Sequence, residues 1–260
     1  MEPRNASIDG ELMAIGEARI SVTDDGLQRG DGVFEMLRLY AGVPYATDRH
    51  LARMAASAGS IRLPIDTGAF AEDIDRLLAA SAPAEDAALR LMATRGGRRI
   101  LIIERLPDFP ASMSLACVTY SPVRLLDGVK SLSYAANVLA GRLAREQGFD
   151  DALLVTPHGR VLEAPTSSFF WVRGSELLTP PLEDRVLDSI TRRLILDGIG
   201  GREAITTRDD LDGADEAFLV SSLREVTPVC RIDSVELPAA GPVTRATAEE
   251  VAARIRAELG

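Results

Sequence analysis

The chain has 260 residues, of which 46% are hydrophobic and 26% charged, with a formal net charge of −10. That length can bury the core of one large domain or two modest ones. The acidic balance speaks against nucleic acid or anionic membrane as a partner, so any anion site has to be built locally from arginines and backbone amides. Cys117 and Cys230 lie in apolar strand-like runs and read as buried free thiols of a reducing compartment. With only His50 and His158 and no Cys/His cluster, neither a structural zinc nor a histidine-based triad is expected. Residues 1–13 show no basic stretch leading into an apolar one, and no run approaches membrane-spanning length, so the protein reads as cytoplasmic.

In chain order, residues 11–15 and 18–22 read as short strands about a turn at Gly16. Residues 33–40 alternate as a strand and end at a turn over 41–44. Asp48 is placed to cap a helix whose apolar positions Leu51, Met54, Ala55 and Ala58 follow helical spacing, with Gly59 closing it. A second helix is predicted over 69–80, then strands over 88–94 and 100–104 around the arginine-rich turn 95–99. Residues 113–120 form a buried strand and 121–125 a crossing linker. Lys130 ends a short strand ahead of a helix over 135–146. Strands over 151–156 and 160–163 pair as a hairpin, followed by strands at 167–172 and 177–178. A helix over 189–197, strands over 217–221 and 226–232, and a closing helix over 244–258 complete the chain. This mixture lacks regular βαβ alternation and predicts an α+β fold with two subdomains, 1–120 and 126–260, the second carrying Lys130.

Lys130 is the only lysine, against 28 arginines. Guanidinium replaces an ammonium in most surface roles but cannot serve as a nucleophilic amine, because it never loses its proton. The surviving amine is therefore either retained for chemistry or left by compositional drift. At the end of an apolar run it would be partly desolvated, which favours the neutral amine. Glu163, also at a strand end beside apolar residues, is either a functional carboxylate or a loop acid in a surface ion pair. Arg53, on the first helix, is either a ligand-binding or a surface arginine.

Five segments occur together in one order: Gly30-Asp31-Gly32-Val33-Phe34-Glu35, His50-Leu51-Ala52-Arg53-Met54, Lys130-Ser131-Leu132, Glu163-Ala164-Pro165-Thr166-Ser167-Ser168-Phe169-Phe170, and Thr179-Pro180-Pro181-Leu182 with Ile190-Thr191-Arg192. In this the chain resembles the class IV (fold type IV) pyridoxal-phosphate enzymes, from about Ser21 to Pro228. That family includes branched-chain aminotransferases, D-amino-acid aminotransferases and 4-amino-4-deoxychorismate lyases. The resemblance implies that Lys130 holds pyridoxal 5′-phosphate as a Schiff base and then moves the proton between Cα and C4′. It implies that Glu163 pairs with the pyridine nitrogen, keeping it protonated so that the ring accepts electrons. Arg53 would bind the phosphate through its planar fork, joined by the amides of Ile190 and Thr191 at a helix start and by the Ser222 side chain. Leu187 would pack on the ring, or is plain core. Tyr134 would hydrogen-bond the cofactor's phenolic oxygen, or is core. The substrates implied are an amino acid and a 2-oxo acid, and the assembly implied is a homodimer, for which the apolar strand surface at 33–39 is the candidate contact.

The chain departs from relatives at three places. Ser168 stands where many carry asparagine, which removes an amide from backbone bracing. Phe34 stands where well-known D-amino-acid aminotransferases have a tyrosine that helps hold the substrate carboxylate. Their Arg-x-His carboxylate trap is also missing, and Arg29 and Arg95 are the expected replacements. Lys-Ser-Leu is closer to the D-amino-acid enzymes than to branched-chain ones. Ser221-Ser222-Leu223 leans to the lyases and Glu225-Val226-Thr227-Pro228 to the aminotransferases. The expected activity is transamination with D-amino acids. The alternatives are pyruvate elimination from aminodeoxychorismate, branched-chain L-transamination, and a non-catalytic cofactor-binding homologue, which has no reason to keep Lys130, Glu163 and Arg53 together.

Overall fold

The computed structural model describes residues 5–260, arranged as two units with one sheet each. Residues 1–4, the start of the segment expected to carry no leader, lie outside the described residues.

In the first unit, β1 (Asn5–Ile8), β2 (Glu11–Ala14), β3 (Gly32–Tyr40), β4 (Val43–Pro44), β5 (Ala87–Thr94) and β6 (Arg99–Arg105) form one antiparallel sheet in the order β2-β1-β6-β5-β3-β4. Helix α1 (Asp25–Arg29) precedes β3, and α2 (Thr47–Ser60) and α3 (Thr67–Ser81) follow β4. Leu51, Met54 and Ala58, at helical spacing on α2, bury against Val33, Leu37 and Leu39 of β3, with Phe70, Ile74 and Leu77 of α3 in the same core. Each large apolar side chain fully buried there contributes about 1.5–3 kcal/mol. Val33, Leu37 and Leu39 are spent on this core and offer no surface to a second copy, while Met36 on the other face of the strand stays part-exposed.

Two local expectations are corrected. Residues 18–22 form no strand: the Ser21 and Thr23 hydroxyls lie 2.7 Å apart, and Thr23 N donates to Ser21 Oγ at 3.2 Å. Such local side-chain bonds compete with a sheet ladder. They lead into α1, a helix with no sequence-level expectation, capped by Asp24 and closed by Gly30 at φ 68°. Asp48 does not cap α2. The N-cap is Ala46, and Asp48 instead stands in the first turn, where it favours the helix dipole.

The second unit carries β7 (Met113–Thr119), α4 (Ala135–Glu146), β8 (Asp151–Val155), β9 (Ser168–Arg173), β10 (Glu176–Thr179), α5 (Ile190–Gly198), β11 (Arg202–Glu203), β12 (Glu216–Ser221), β13 (Glu225–Ile232), β14 (Val235–Glu236) and α6 (Pro242–Leu259). Its sheet runs β11-β10-β9-β12-β13-β7-β8, with β14 paired to β13. β7 pairs in parallel with both β8 and β13, and the rest of the path is antiparallel except β10–β11. A parallel pair needs a long crossover, and α4 supplies it for β7 and β8. The expected strand at 160–163 is present as hairpin hydrogen bonds, Leu162 N to Leu154 O and Leu154 N to Glu163 O, both at 2.9 Å.

The grouping by contacts differs from a split at 121–125. The segment Val129–Tyr134 groups with the first unit, while Asp108–Gly128 groups with the second. The reason is hydrogen bonding. Phe34 N donates to Lys130 O at 3.0 Å and Leu132 N to Gly32 O at 2.9 Å, while Ser131 bridges Val33. Lys130 thus ends no strand of its own and lies along the edge at the start of β3. A Cβ at Gly32 would meet Ala93 O at 2.3 Å and Leu132 Cδ1 at 2.6 Å, so this approach requires glycine.

Candidate functional site

In the first unit, Lys130 is fixed from both sides of its backbone, since Lys130 N also donates to Ser57 Oγ of α2 at 3.1 Å. Its Nζ lies 4.4 Å from the Phe34 ring centroid, within cation–π range. Tyr134 meets the same ring edge-on, with centroids 5.4 Å apart. The structure therefore gathers Lys130, Phe34 and Tyr134 into one group.

Arg53 comes with two partners, Glu35 and, through it, His50. Its Nε donates to Glu35 Oε1 at 2.8 Å and its Nη2 to Glu35 Oε2 at 2.7 Å, a bidentate pair. His50 Nδ1 lies 2.7 Å from Glu35 Oε2. Glu35 and His50 are completely buried. Burial pushes the Glu35 carboxyl up, but the hydrogen bonds and charge of Arg53, with those of His50, win and hold it at about 2. Burial lowers the His50 imidazole, and its bond to Glu35 only opposes this. The charges of Arg53 and Lys130 lower it further. His50 is one turn before Arg53 on α2, and Glu35 is buried within a strand that is apolar on both faces. An acid in such a strand was the sequence signal for this triad.

In the second unit, Glu163 Oε1 accepts from Leu187 N at 3.0 Å, bringing these two predicted residues together. Burial raises the Tyr120 phenol, and the Glu163 charge adds to the effect. Ser189 caps α5: its Oγ accepts from Arg192 N at 3.1 Å, and its carbonyl accepts from Arg193 N at 3.0 Å. Ile190 and Thr191 occupy the first two helical positions, where a backbone N–H has no intrahelical acceptor. Both are buried. Ser168 Oγ donates to Ser189 Oγ at 3.0 Å, so the serine that replaces asparagine still braces the helix start. Ser222 lies in the turn between β12 and β13.

Residues 32–232 match the sequence profile of the amino-transferase class IV family. The chain belongs to the class IV aminotransferases. It is 32% identical to a putative branched-chain-amino-acid aminotransferase of Methanocaldococcus jannaschii over 87% of each chain. It is 29% identical to a D-alanine aminotransferase of Bacillus licheniformis over 91% of this chain and 92% of the other. Among solved structures it resembles a fold IV transaminase from Curtobacterium pusillum, with a TM-score of 0.87 and 27% identity over 97% of this chain and 99% of that one. A branched-chain aminotransferase from Thermoproteus uzoniensis superposes with a TM-score of 0.89 at 28% identity, covering 98% and 96%. The expected α+β, fold type IV architecture is thereby shown, and the protein is an aminotransferase. Enzymes of this class use pyridoxal 5′-phosphate.

The donor chemistry of the chain fits that cofactor. Lys130 supplies an amine of the kind its aldehyde needs, and Glu163 a carboxylate of the kind its ring nitrogen needs. The two first-turn amides of α5, without acceptors inside the helix, suit its phosphate. The substrate residues fare differently. Arg29 is exposed at the end of α1 and pairs with Asp25 one turn earlier. Arg95 donates to both Asp31 oxygens, to Arg62 O at 2.7 Å and to Ile61 O at 2.8 Å, so every guanidinium nitrogen is already committed. It braces the loop after α2, and a carboxylate would have to break that brace. Among the described residues no cluster of His, Cys, Asp and Glu could hold a metal ion. Among the described residues no helix is long and apolar enough to cross a membrane.

Proposed function

We propose that the protein transfers an amino group between a D-amino acid and a 2-oxo acid, with Lys130 as the catalytic amine. The observation that carries this reading is the backbone-fixed placement of the only lysine, its Nζ 4.4 Å from the Phe34 ring. When bound, pyridoxal 5′-phosphate supplies a protonated pyridine ring that accepts the electron pair released at the substrate Cα. Lys130, through Nζ, would be the residue that holds the cofactor, and its amine would serve as the base and acid that moves the substrate Cα proton. Glu163, oriented by Leu187 N, would keep the ring nitrogen protonated. Arg53, aimed by Glu35, would be a phosphate ligand, as would the amides of Ile190 and Thr191 and the Ser222 hydroxyl. Leu187 would pack on the ring, and Tyr134 stands against Phe34 beside Lys130.

The D preference is supported by the Lys130-Ser131-Leu132 run and by the D-alanine aminotransferase relative. A branched-chain reading is favoured by the Methanocaldococcus relative and by Phe34, whose apolar ring offers an aliphatic side chain a surface that a tyrosine hydroxyl would not. Purified protein mixed with D-alanine, D-glutamate, L-leucine or aminodeoxychorismate, followed by the absorbance of the bound cofactor, decides between them. A response to D-alanine or D-glutamate is expected. A response to L-leucine alone, or pyruvate release from aminodeoxychorismate alone, overturns it. We also take the enzyme to act in the cytoplasm as a homodimer. Leu139 and Leu143, exposed on α4, are apolar surface that a second copy would cover, and sedimentation as a monomer would refute this.

A further inference from the structure

The second unit holds a cation that its own residues do not neutralise. Arg224 ends the three-residue turn that follows Ser221 of β12 and precedes Glu225 of β13. Its guanidinium carbon lies 4.9 Å from the Phe109 ring centroid, and its Nη1 lies 2.8 Å from Met113 Sδ. Its Nε is buried with no hydrogen-bond partner. Among the described residues Arg224 forms no ion pair, and Asp151 acts on it through charge alone. Burial pushes the guanidinium down and Asp151 only opposes this. Burial likewise pushes the Asp151 carboxyl up. An aromatic face and a thioether are weak partners for a guanidinium compared with the carboxylate that usually meets a buried one. Arg53, Arg90, Arg95 and Arg192 all have a carboxylate in contact. Arg224 does not, and it stands two residues after Ser222.

We propose that Arg224 binds a carboxylate of the amino-acid and 2-oxo-acid substrates. The inference rests on the reading above that Ser222 belongs to the cofactor site. An incoming carboxylate would supply the acceptor that Nε lacks, in the bidentate geometry a guanidinium favours. The same chemistry would also suit the cofactor's phosphate, so the test has to separate the two anions. Arg231 provides a control of matched character: it lies 4.2 Å from the Phe149 ring centroid, also with a buried and unpartnered Nε, near the other end of β13.

The test compares the wild-type holoenzyme with Arg224→Met, Arg224→Lys and Arg231→Met. Dissociation constants are measured by calorimetry for glutarate, a carboxylate that cannot react. Michaelis constants are measured for pyruvate, and the affinity of stripped protein for pyridoxal 5′-phosphate is measured separately. Losing a charge-assisted pair predicts a glutarate dissociation constant and a pyruvate Michaelis constant raised about 10- to 100-fold in Arg224→Met. Partial recovery is expected in Arg224→Lys, with cofactor affinity and Arg231→Met unchanged. Weakened cofactor affinity with unchanged glutarate binding would assign Arg224 to the phosphate and overturn the proposal. So would unchanged glutarate binding in a variant that takes up cofactor normally. A wild-type chain that takes up no cofactor would instead sink the functional reading itself. If Arg224→Met does not fold, Arg224→Gln, which keeps length and polarity, gives the same comparison.

Discussion

Replacing Glu35 by glutamine removes one charge from a fully buried triad while keeping its shape. The carboxyl is held from the usual 4.5 down to about 2 by Arg53 and His50 against the cost of burial. At about 1.4 kcal/mol per pH unit, this coupling stabilises the fold by about 3 kcal/mol near neutrality. The same figure follows from mutational experience, where removing one member of a buried pair costs about 3–5 kcal/mol because the other is left uncompensated. Arg53 would be that stranded partner, with only 13% of its side chain exposed. The folded value is the lower one, so the contribution is complete above pH 4.5 and is lost as pH falls towards 2. Urea unfolding of wild type and Glu35→Gln at pH 7 and pH 3 should therefore show a gap of about 3 kcal/mol that shrinks to about half at the lower pH. Equal gaps at both pH values, or none, would refute the claim that Glu35 is ionised and coupled to Arg53. A gap that disappears in an Arg53→Met background would identify the partner.

Lys130→Ala should yield a protein that borohydride no longer links to the cofactor; a trapped adduct by mass spectrometry would remove Lys130 from its role. Glu163→Gln should still bind cofactor yet slow single-turnover proton transfer, and unchanged rates would contradict its pairing with the ring nitrogen. Ser168→Ala should cost about 1 kcal/mol and weaken cofactor binding slightly, because Ser189 loses its donor at the start of α5; a melting temperature equal to wild type would show that the bond braces nothing. Gly96→Ala should lower the melting temperature, since a Cβ there would lie 2.2 Å from Asp24 Oδ2, the group that caps α1 and accepts from Thr94; an unchanged melt would refute that packing.

Strong periodic segments were legible from the residues. The helix expected over 135–146 is α4 with the same limits, and that over 189–197 differs from α5 by one residue at each end. Short or turn-rich segments were not, because their conformation is decided by side-chain bonds of a few atoms, as at Ser21 and Thr23, or by contacts distant in the chain, as at Lys130. Lys130 stood out for a compositional reason, since a lone lysine has no rival amine; Glu163 and Arg53 gained their roles only from the family resemblance. The partnership of Glu35 and His50 with Arg53 is not legible in the residues, since nothing local says that a strand glutamate meets a guanidinium on the next helix.

From sequence alone came the class of enzyme, its cofactor, and the amine, carboxylate and helix start suited to hold it. Only the tertiary structure decided what each arginine does. With 28 guanidiniums the local signals are equivalent, and the distinction is made by acceptors far along the chain. Arg95 is claimed by Asp31 and Arg53 by Glu35, across 64 and 18 residues. Arg224 is folded against a ring and a sulfur with no carboxylate to meet it. Charge pairing at such separations is fixed by packing, so which guanidinium meets a carboxylate and which does not is decided only in the folded chain.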